Sequence, residues 1–138
     1  EIASCLVGSE MCIRDRGKVE PGEDVVAGMR RELREEAAIE VDAMRLRGTV
    51  SWPGFGRHGE DHFGFIFVVD SWHPIADAIP DANEEGPLTW ERVDSLDELP
   101  MWEGDRYFLP LVFDPDVPQF HGCLPYHDGR PTGWSYSV

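Results

Sequence analysis

The sequence predicts an α/β sandwich, and two observations carry that prediction. One amphipathic helical stretch, and a shorter second one, are interleaved with runs rich in β-branched and aromatic residues. The chain has 138 residues, 41% of them hydrophobic and 11% aromatic. A single domain of that size buries roughly two-thirds of its unfolded surface, so a packed core is available.

The elements follow in order. Ile2–Val7 reads as a short strand, and residues 8–16 show no period. Lys18–Gly22 is a turn marked by Pro21-Gly22. A helix is predicted from Glu23 to Ala38, because Val25, Met29, Leu33 and Ala37 recur every four residues. Glu23 and Asp24 fall in its first turn, where the helix dipole favours acids. Met44–Trp52 alternates loosely and predicts a strand, followed by a glycine-rich loop over Pro53–Glu60. His62–Val69 is the clearest strand, being rich in β-branched and aromatic residues. Pro74–Gly86 is a polar loop, Leu88–Val93 an alternating strand, and Asp94–Leu99 one helical turn. Trp102–Phe113 holds a second helix, in which Pro110 should lie in the first turn or break it. Gln119–Tyr126 and Thr132–Tyr136 read as a hairpin around Asp128-Gly129.

Composition excludes several functions. The formal net charge is −15, from 27 acids against 12 bases. A nucleic-acid polymer is therefore not an expected partner, since backbone binding needs a basic stripe. No run of ~18 apolar residues occurs, so no membrane partner is expected. Cys5, Cys12 and Cys123 form neither a zinc pattern nor a disulfide framework, and a reducing, cytoplasmic setting is expected. Ile2–Val7 is too short an apolar run for a signal peptide, and no basic region precedes it. The five histidines are scattered, with no pair at i, i+4.

The chemistry concentrates between Gly17 and Ile39. Glu32, Glu35 and Glu36 lie at i, i+3 and i+4, so a helix projects all three carboxylates from one face. They repel one another unless cations neutralise them, and hard oxygen donors suit Mg²⁺ or Mn²⁺. Arg31 can pair with a nearby carboxylate such as Glu23. Taken alone, such a cluster is more often a solvated helix face with ion pairs to Arg31 and Arg34.

The complete spacing is more specific. Gly17 is followed by five residues and Glu23, then by seven residues and Arg31-Glu32-Leu33-Arg34-Glu35-Glu36-Ala37-Ala38-Ile39. This resembles the Nudix hydrolase signature G-x5-E-x7-R-E-U-x-E-E-x-G-U, where U is a bulky apolar residue. Six such matches in one window arise by chance at about 10⁻⁷. The departure is Ala38 in place of the second glycine. Alanine is tolerated there if φ is negative and strained if φ is positive.

The resemblance implies an α/β/α sandwich with a mixed sheet and cleavage of a nucleoside diphosphate linked to another moiety. It implies metal binding by Glu32, Glu35 and Glu36, with the Gly17 carbonyl contributing, and Mg²⁺ or Mn²⁺ as cofactor. Glu35 is then the base that orients or deprotonates water, with Glu32 and Arg31 in the catalytic set and Glu23 in an orienting role. The rest of the chain resembles one branch, the oxidised purine nucleoside triphosphate hydrolases, in Val41-Asp42-Ala43, Trp90, Met101-Trp102, Asp105, Tyr107, Pro110-Leu111 and Phe120-His121-Gly122. That likeness implies that Trp102 stacks on a purine and that Asp105 reads its edge. It also implies that Glu85 stands near the metals. Each has a structural rival: packing for Trp102, helix capping for Asp105, an exposed loop acid for Glu85. The branch commonly carries a second acid before Asp105, where this chain has Gly104. One of Phe55, Phe63, Phe65 and Phe67 can also line the pocket.

The N-terminus departs from the branch. Cys5–Arg16, CLVGSEMCIRDR, looks like a peptide translated from sequencing-adaptor DNA, and the asparagine expected before Gly17 is missing. Residues 1–16 are therefore expected to be foreign, with the domain spanning 17–138 and lacking its natural N-terminal strand. The expected activity is metal-dependent hydrolysis of oxidised purine nucleoside triphosphates such as 8-oxo-dGTP to the monophosphate and pyrophosphate, by a cytoplasmic monomer that sanitises the nucleotide pool. The rivals are a Nudix hydrolase for another substrate and a nucleotide-binding module impaired by its N-terminus.

Overall fold

A computed structural model describes the backbone of residues 2–4, 15–17, 19–75, 77, 82–83, 86–87, 92–98 and 101–138. Side chains are described for 19–75, 77, 92–98 and 101–138. In chain order the elements are β1 (Ile2–Ser4), β2 (Asp15–Gly17), α1 (Val25–Ala37), β3 (Ile39–Trp52), β4 (His62–Pro74), β5 (Ala82–Asn83) and β6 (Gly86–Pro87). A 3₁₀ turn (Val93–Glu98), α2 (Asp105–Phe113), β7 (Phe120–Cys123), β8 (Tyr126–His127), β9 (Arg130–Pro131) and β10 (Ser135–Ser137) complete the described order.

The central sheet runs β10-β7-β3-β4. β3 pairs antiparallel with β4 and parallel with β7, and β7 pairs antiparallel with β10, so the sheet is mixed. Successive side chains of a strand point to opposite faces. On β4, Phe67 and Val69 bury against Met29, Leu33 and Ala37 of α1. Their neighbours Ile66 and Val68 bury in a second cluster with Phe108, Leu109 and Val112 of α2. The helices therefore cover opposite faces, which makes the α/β/α sandwich. Gly48 of β3 allows the close approach to β7, since a Cβ there would lie 2.3 Å from the Phe120 carbonyl oxygen.

Several predicted boundaries shift. α1 begins at Val25, two residues later than predicted, because Asp24 is its N-cap. The Asp24 Oδ1 accepts from the amides of Val26 and Ala27, both at 2.9 Å. Glu23 thus lies outside the helix. β3 starts at Ile39, five residues before the predicted strand, and register shifts between Val41 and Met44 and near Leu46–Gly48 break its alternation. Ile2–Ser4 pairs with Asp15–Gly17, a strand that the aperiodic sequence did not signal. The predicted strand Leu88–Val93 falls outside the described residues up to 91, and Val93 opens the 3₁₀ turn. The predicted C-terminal hairpin is two ladders, β7 with β10 and, inside it, β8 with β9. Asp128 and Gly129 turn the inner one at φ 49° and 75°, the positive values of a type I′ turn.

Pro110 corrects the reading of the second helix. It sits inside α2 rather than in the first turn, and the helix continues to Phe113. Buried Phe108, Leu109 and Val112 anchor the helix on both sides of the proline. Buried Arg47 of β3 completes its C-terminal end. The Arg47 guanidinium donates to the carbonyls of Val112 and Leu111 at 2.8 Å and of Asp114 and Val117 at 3.0 Å.

Ala38 is the strained point. It caps α1 in the left-handed region, φ 53° and ψ 40°, with its amide bonded to the Arg34 and Leu33 carbonyls. An L side chain in that conformation costs about 1–2 kcal/mol. The glycine of the family pattern is thus the residue the backbone calls for. Ala38→Gly should raise unfolding stability by about 1 kcal/mol, read by urea denaturation; an unchanged or lower midpoint would show that the cap carries no strain.

Candidate active site

α1 and the turn before it assemble the acidic site. Because Glu23 precedes the N-cap, its carboxylate can lie back across the helix face and meet Arg31. Arg31 Nε donates to Glu23 Oε1 at 2.9 Å and Nη2 donates to Glu23 Oε2 at 3.1 Å, a two-pronged pair. The Glu20 amide donates to the same Glu23 Oε2 at 2.9 Å. Arg31 Nη1 donates to Glu32 Oε1 at 2.6 Å and to Glu35 Oε2 at 3.2 Å. One guanidinium therefore ties three of the predicted carboxylates together.

The electrostatics follow from this clamp. Hydrogen bonding from Arg31, then from the Glu20 amide, holds the Glu23 carboxyl below its ordinary value. The bonds to Glu23 and then Glu32 raise the Arg31 guanidinium well above its own. Arg34 is drawn away from the cluster: it donates to both oxygens of Glu40, at 2.6 and 2.8 Å. Of the two arginines in the rival reading of a solvated, ion-paired face, Arg31 pairs with the cluster and Arg34 pairs with Glu40. Arg31 faces Glu23, Glu32 and Glu35, with Glu20 at 4.0 Å, four negative charges against one positive.

The donor set suits a hard divalent cation. The side chains on this face offer carboxylate oxygens, and Glu36 Oε2 is shielded from water. The Glu23 and Glu32 side chains are each only 14% exposed, whereas Glu35 is 61% exposed. Among the described residues, no three acidic, histidine or cysteine side chains stand close enough to hold a metal as they are. Glu35 meets Arg31 at 3.2 Å from an exposed position. Gly17 ends β2, opposite Ile2. Glu85 and Trp90 lie outside the described residues.

A second group of residues forms at the start of α2. Trp102 is 44% exposed. Its ring meets Phe55 edge-on at 5.9 Å, and Phe55 also meets Tyr126 at 4.9 Å and His62 at 5.2 Å. Of the four phenylalanines considered, Phe55 is the one against Trp102; Phe67 is in the core under α1, and Phe63 packs on Phe65. Asp105 is the first residue of α2 and is not its cap, which is Gly104. Sequence reasoning did not single out Tyr126, and periodicity could not have found it, because its role comes from packing between distant segments.

The NUDIX domain model matches residues 15–112. The chain therefore belongs to the Nudix family, and it is a Nudix hydrolase. It is 31% identical over 122 residues to the oxidized purine nucleoside triphosphate hydrolase of Mus musculus, covering 88% of this chain and 73% of that protein. It is 35% identical over 115 residues to the uncharacterized Nudix hydrolase YvcI of Bacillus subtilis, covering 80% and 68%. A shorter match, 33% over 89 residues, links it to the NAD-capped RNA hydrolase NudC of Pseudomonas syringae, with 61% of this chain and 28% of that one. The solved MutT protein of Bacillus halodurans superposes with a TM-score of 0.81 at 22% identity, covering 98% and 95%, which shows the shared fold. Nudix hydrolases act on nucleotides and generally use divalent cations such as Mg²⁺. No helix among the described residues is long and apolar enough to cross a membrane.

The clamp gives a pH signature. Glu23 is depressed in the fold, so its stabilisation is present above the ordinary carboxyl value near 4.5 and is lost as the pH falls through the folded value. Glu23→Gln should lower the melting temperature at pH 7 and flatten its decline on acidification below about 4.5. A variant whose acid limb matches the parent's would remove Glu23 from the clamp.

Proposed function

We propose that this chain is a Mg²⁺-dependent pyrophosphohydrolase that cleaves oxidised purine nucleoside triphosphates, such as 8-oxo-dGTP, to the monophosphate and pyrophosphate. The observation that carries this reading is the pairing of two features in one chain. A guanidinium-tied acidic face lies on α1, and a half-exposed tryptophan backed by Phe55 stands three residues before Asp105. The 31% identity to the mouse oxidized purine nucleoside triphosphate hydrolase supports the same substrate class. The bound cation would be held by Glu32, Glu35 and Glu36, with the Gly17 carbonyl and Glu85 as further ligands, and would offset charge on the phosphoryl oxygens.

The chain's own groups do the remaining work. Glu35, the most exposed of the three on α1, takes the proton from the attacking water. Arg31 fixes Glu32 while Glu23 fixes Arg31. Trp102 offers its face to the purine, and Asp105 accepts hydrogen bonds from the base edge. The protein works as a cytoplasmic monomer in nucleotide-pool sanitisation. The similarity to NudC favours, as a second reading, a different substrate containing a nucleoside diphosphate.

Pyrophosphate release from 8-oxo-dGTP should require Mg²⁺ and stop with EDTA. Glu35→Gln should lower kcat by about 10²–10⁴-fold with an unchanged melting temperature; parental rates would remove Glu35 as the base. Trp102→Ala should raise KM by roughly 5–150-fold with a smaller change in kcat. A strong preference for ADP-ribose would replace the proposed substrate with the second reading, and binding of 8-oxo-dGTP without release would make the chain a nucleotide-binding module.

A further inference from the structure

Phe55 stands in a segment that its own sequence does not hold still. The loop between β3 and β4 reads Pro53-Gly54-Phe55-Gly56-Arg57-His58-Gly59-Glu60-Asp61, with a glycine on each side of the phenylalanine. Glycine neighbours leave a chain its widest choice of backbone conformations. Gly54 and Gly59 use that freedom, at φ 72° and 81°. Yet Phe55 packs its ring edge-on against Trp102, Tyr126 and His62, at 5.9, 4.9 and 5.2 Å. Something beyond the glycines must set the loop.

Two exposed carboxylates set it. Asp61 Oδ1 accepts from the Gly54 amide at 3.0 Å, one residue before Phe55. Glu60 Oε2 accepts from the His58 amide at 2.6 Å. The same oxygen lies over Gly56, one residue after Phe55, where a Cβ would be 2.3 Å from it. The Gly56 amide donates to the Glu60 carbonyl at 2.9 Å, so the two limbs of the loop are tied across. Bonds from its own amide and from that of His58 hold the Glu60 carboxyl below its ordinary value. The two side chains therefore grip the backbone on both sides of Phe55.

Resting on the substrate reading above, we propose that Glu60 and Asp61 are positioning residues: they fix the backbone around Phe55, and Phe55 fixes the face that Trp102 offers to the purine. They act through Phe55 and not on the substrate. Their part is in base affinity rather than bond cleavage, so KM and not kcat should report it. Their charge alone predicts the opposite sign. Two carboxylates near an anionic nucleotide repel it, so removing that charge would lower KM. Losing the shape of the loop would raise it.

Two double variants test this against the parent. Glu60→Ala with Asp61→Ala removes charge and acceptors, whereas Glu60→Gln with Asp61→Asn removes the charge and keeps an acceptor oxygen at each position. Each protein is assayed with 8-oxo-dGTP and Mg²⁺, and each is labelled with 5-fluorotryptophan for fluorine NMR, the Trp102 signal being assigned with Trp102→Phe. The alanine variant should raise KM about 3–10-fold with kcat within about twofold, and should shift the Trp102 signal while that of Trp134 stays. The amide variant should match the parent in both. Exposed substitutions of this kind move stability little, so the melting temperature should hold within a few degrees. In a Trp102→Ala background the alanine substitutions should leave KM unchanged, because the ring they act on is gone. An unmoved Trp102 signal or a KM at or below the parent's in the alanine variant would overturn the proposal, as would an equal rise in the Trp102→Ala background. A parent that does not cleave 8-oxo-dGTP would instead overturn the substrate reading, and the Trp102 signal would then decide the positioning by itself.

Discussion

Arg31 is the point on which the candidate site depends. Its guanidinium meets Glu23 with two nitrogens and reaches Glu32 and Glu35 with the third. Without a cation at that place, the carboxylates would repel one another on the surface of α1. With it, Glu23 and Glu32 are held at low exposure, while Glu35 stays largely in solvent. The clamp thus divides the acids into two that are largely buried and one that is exposed. It also leaves excess negative charge on this face, the charge that a bound divalent cation would offset. Lysine could not replace Arg31, because a single ammonium cannot present two parallel donors to Glu23 while serving Glu32 and Glu35.

The sheet anchors both helices. Alternate residues of β4 serve opposite cores, Phe67 and Val69 under α1 and Ile66 and Val68 under α2. The acidic helix and the helix that begins at Asp105 are therefore anchored through one strand. Arg47 adds a polar anchor, tying the C-terminal carbonyls of α2 to β3. The large negative charge of the chain has a divided meaning. The acids gathered on α1 by Arg31 form the candidate site, while pairs such as Arg45 with Asp70 are solvated surface contacts of small energetic weight.

The acidic face was legible because it is local. A helical period and a fixed spacing placed Glu32, Glu35 and Glu36 together, and the pairing of Arg31 with Glu23 followed from the same segment. The start of β3 was hidden because bulges disrupt the two-residue period by which a strand is recognised. The left-handed turn at Ala38 was hidden because alanine does not advertise it. The contact of Trp102 was illegible for another reason: Phe55 reaches it from a distant loop, backed in turn by Tyr126, and no local pattern records such packing.

Mn²⁺ titration followed by electron paramagnetic resonance, without nucleotide, separates a cation site on the α1 carboxylates from a solvated acidic face. The parent should bind Mn²⁺, and Glu36→Gln should weaken that binding by about tenfold or more while the far-ultraviolet circular dichroism stays the same. Equal binding by parent and variant would make the acids of α1 a solvated face and not a cation site.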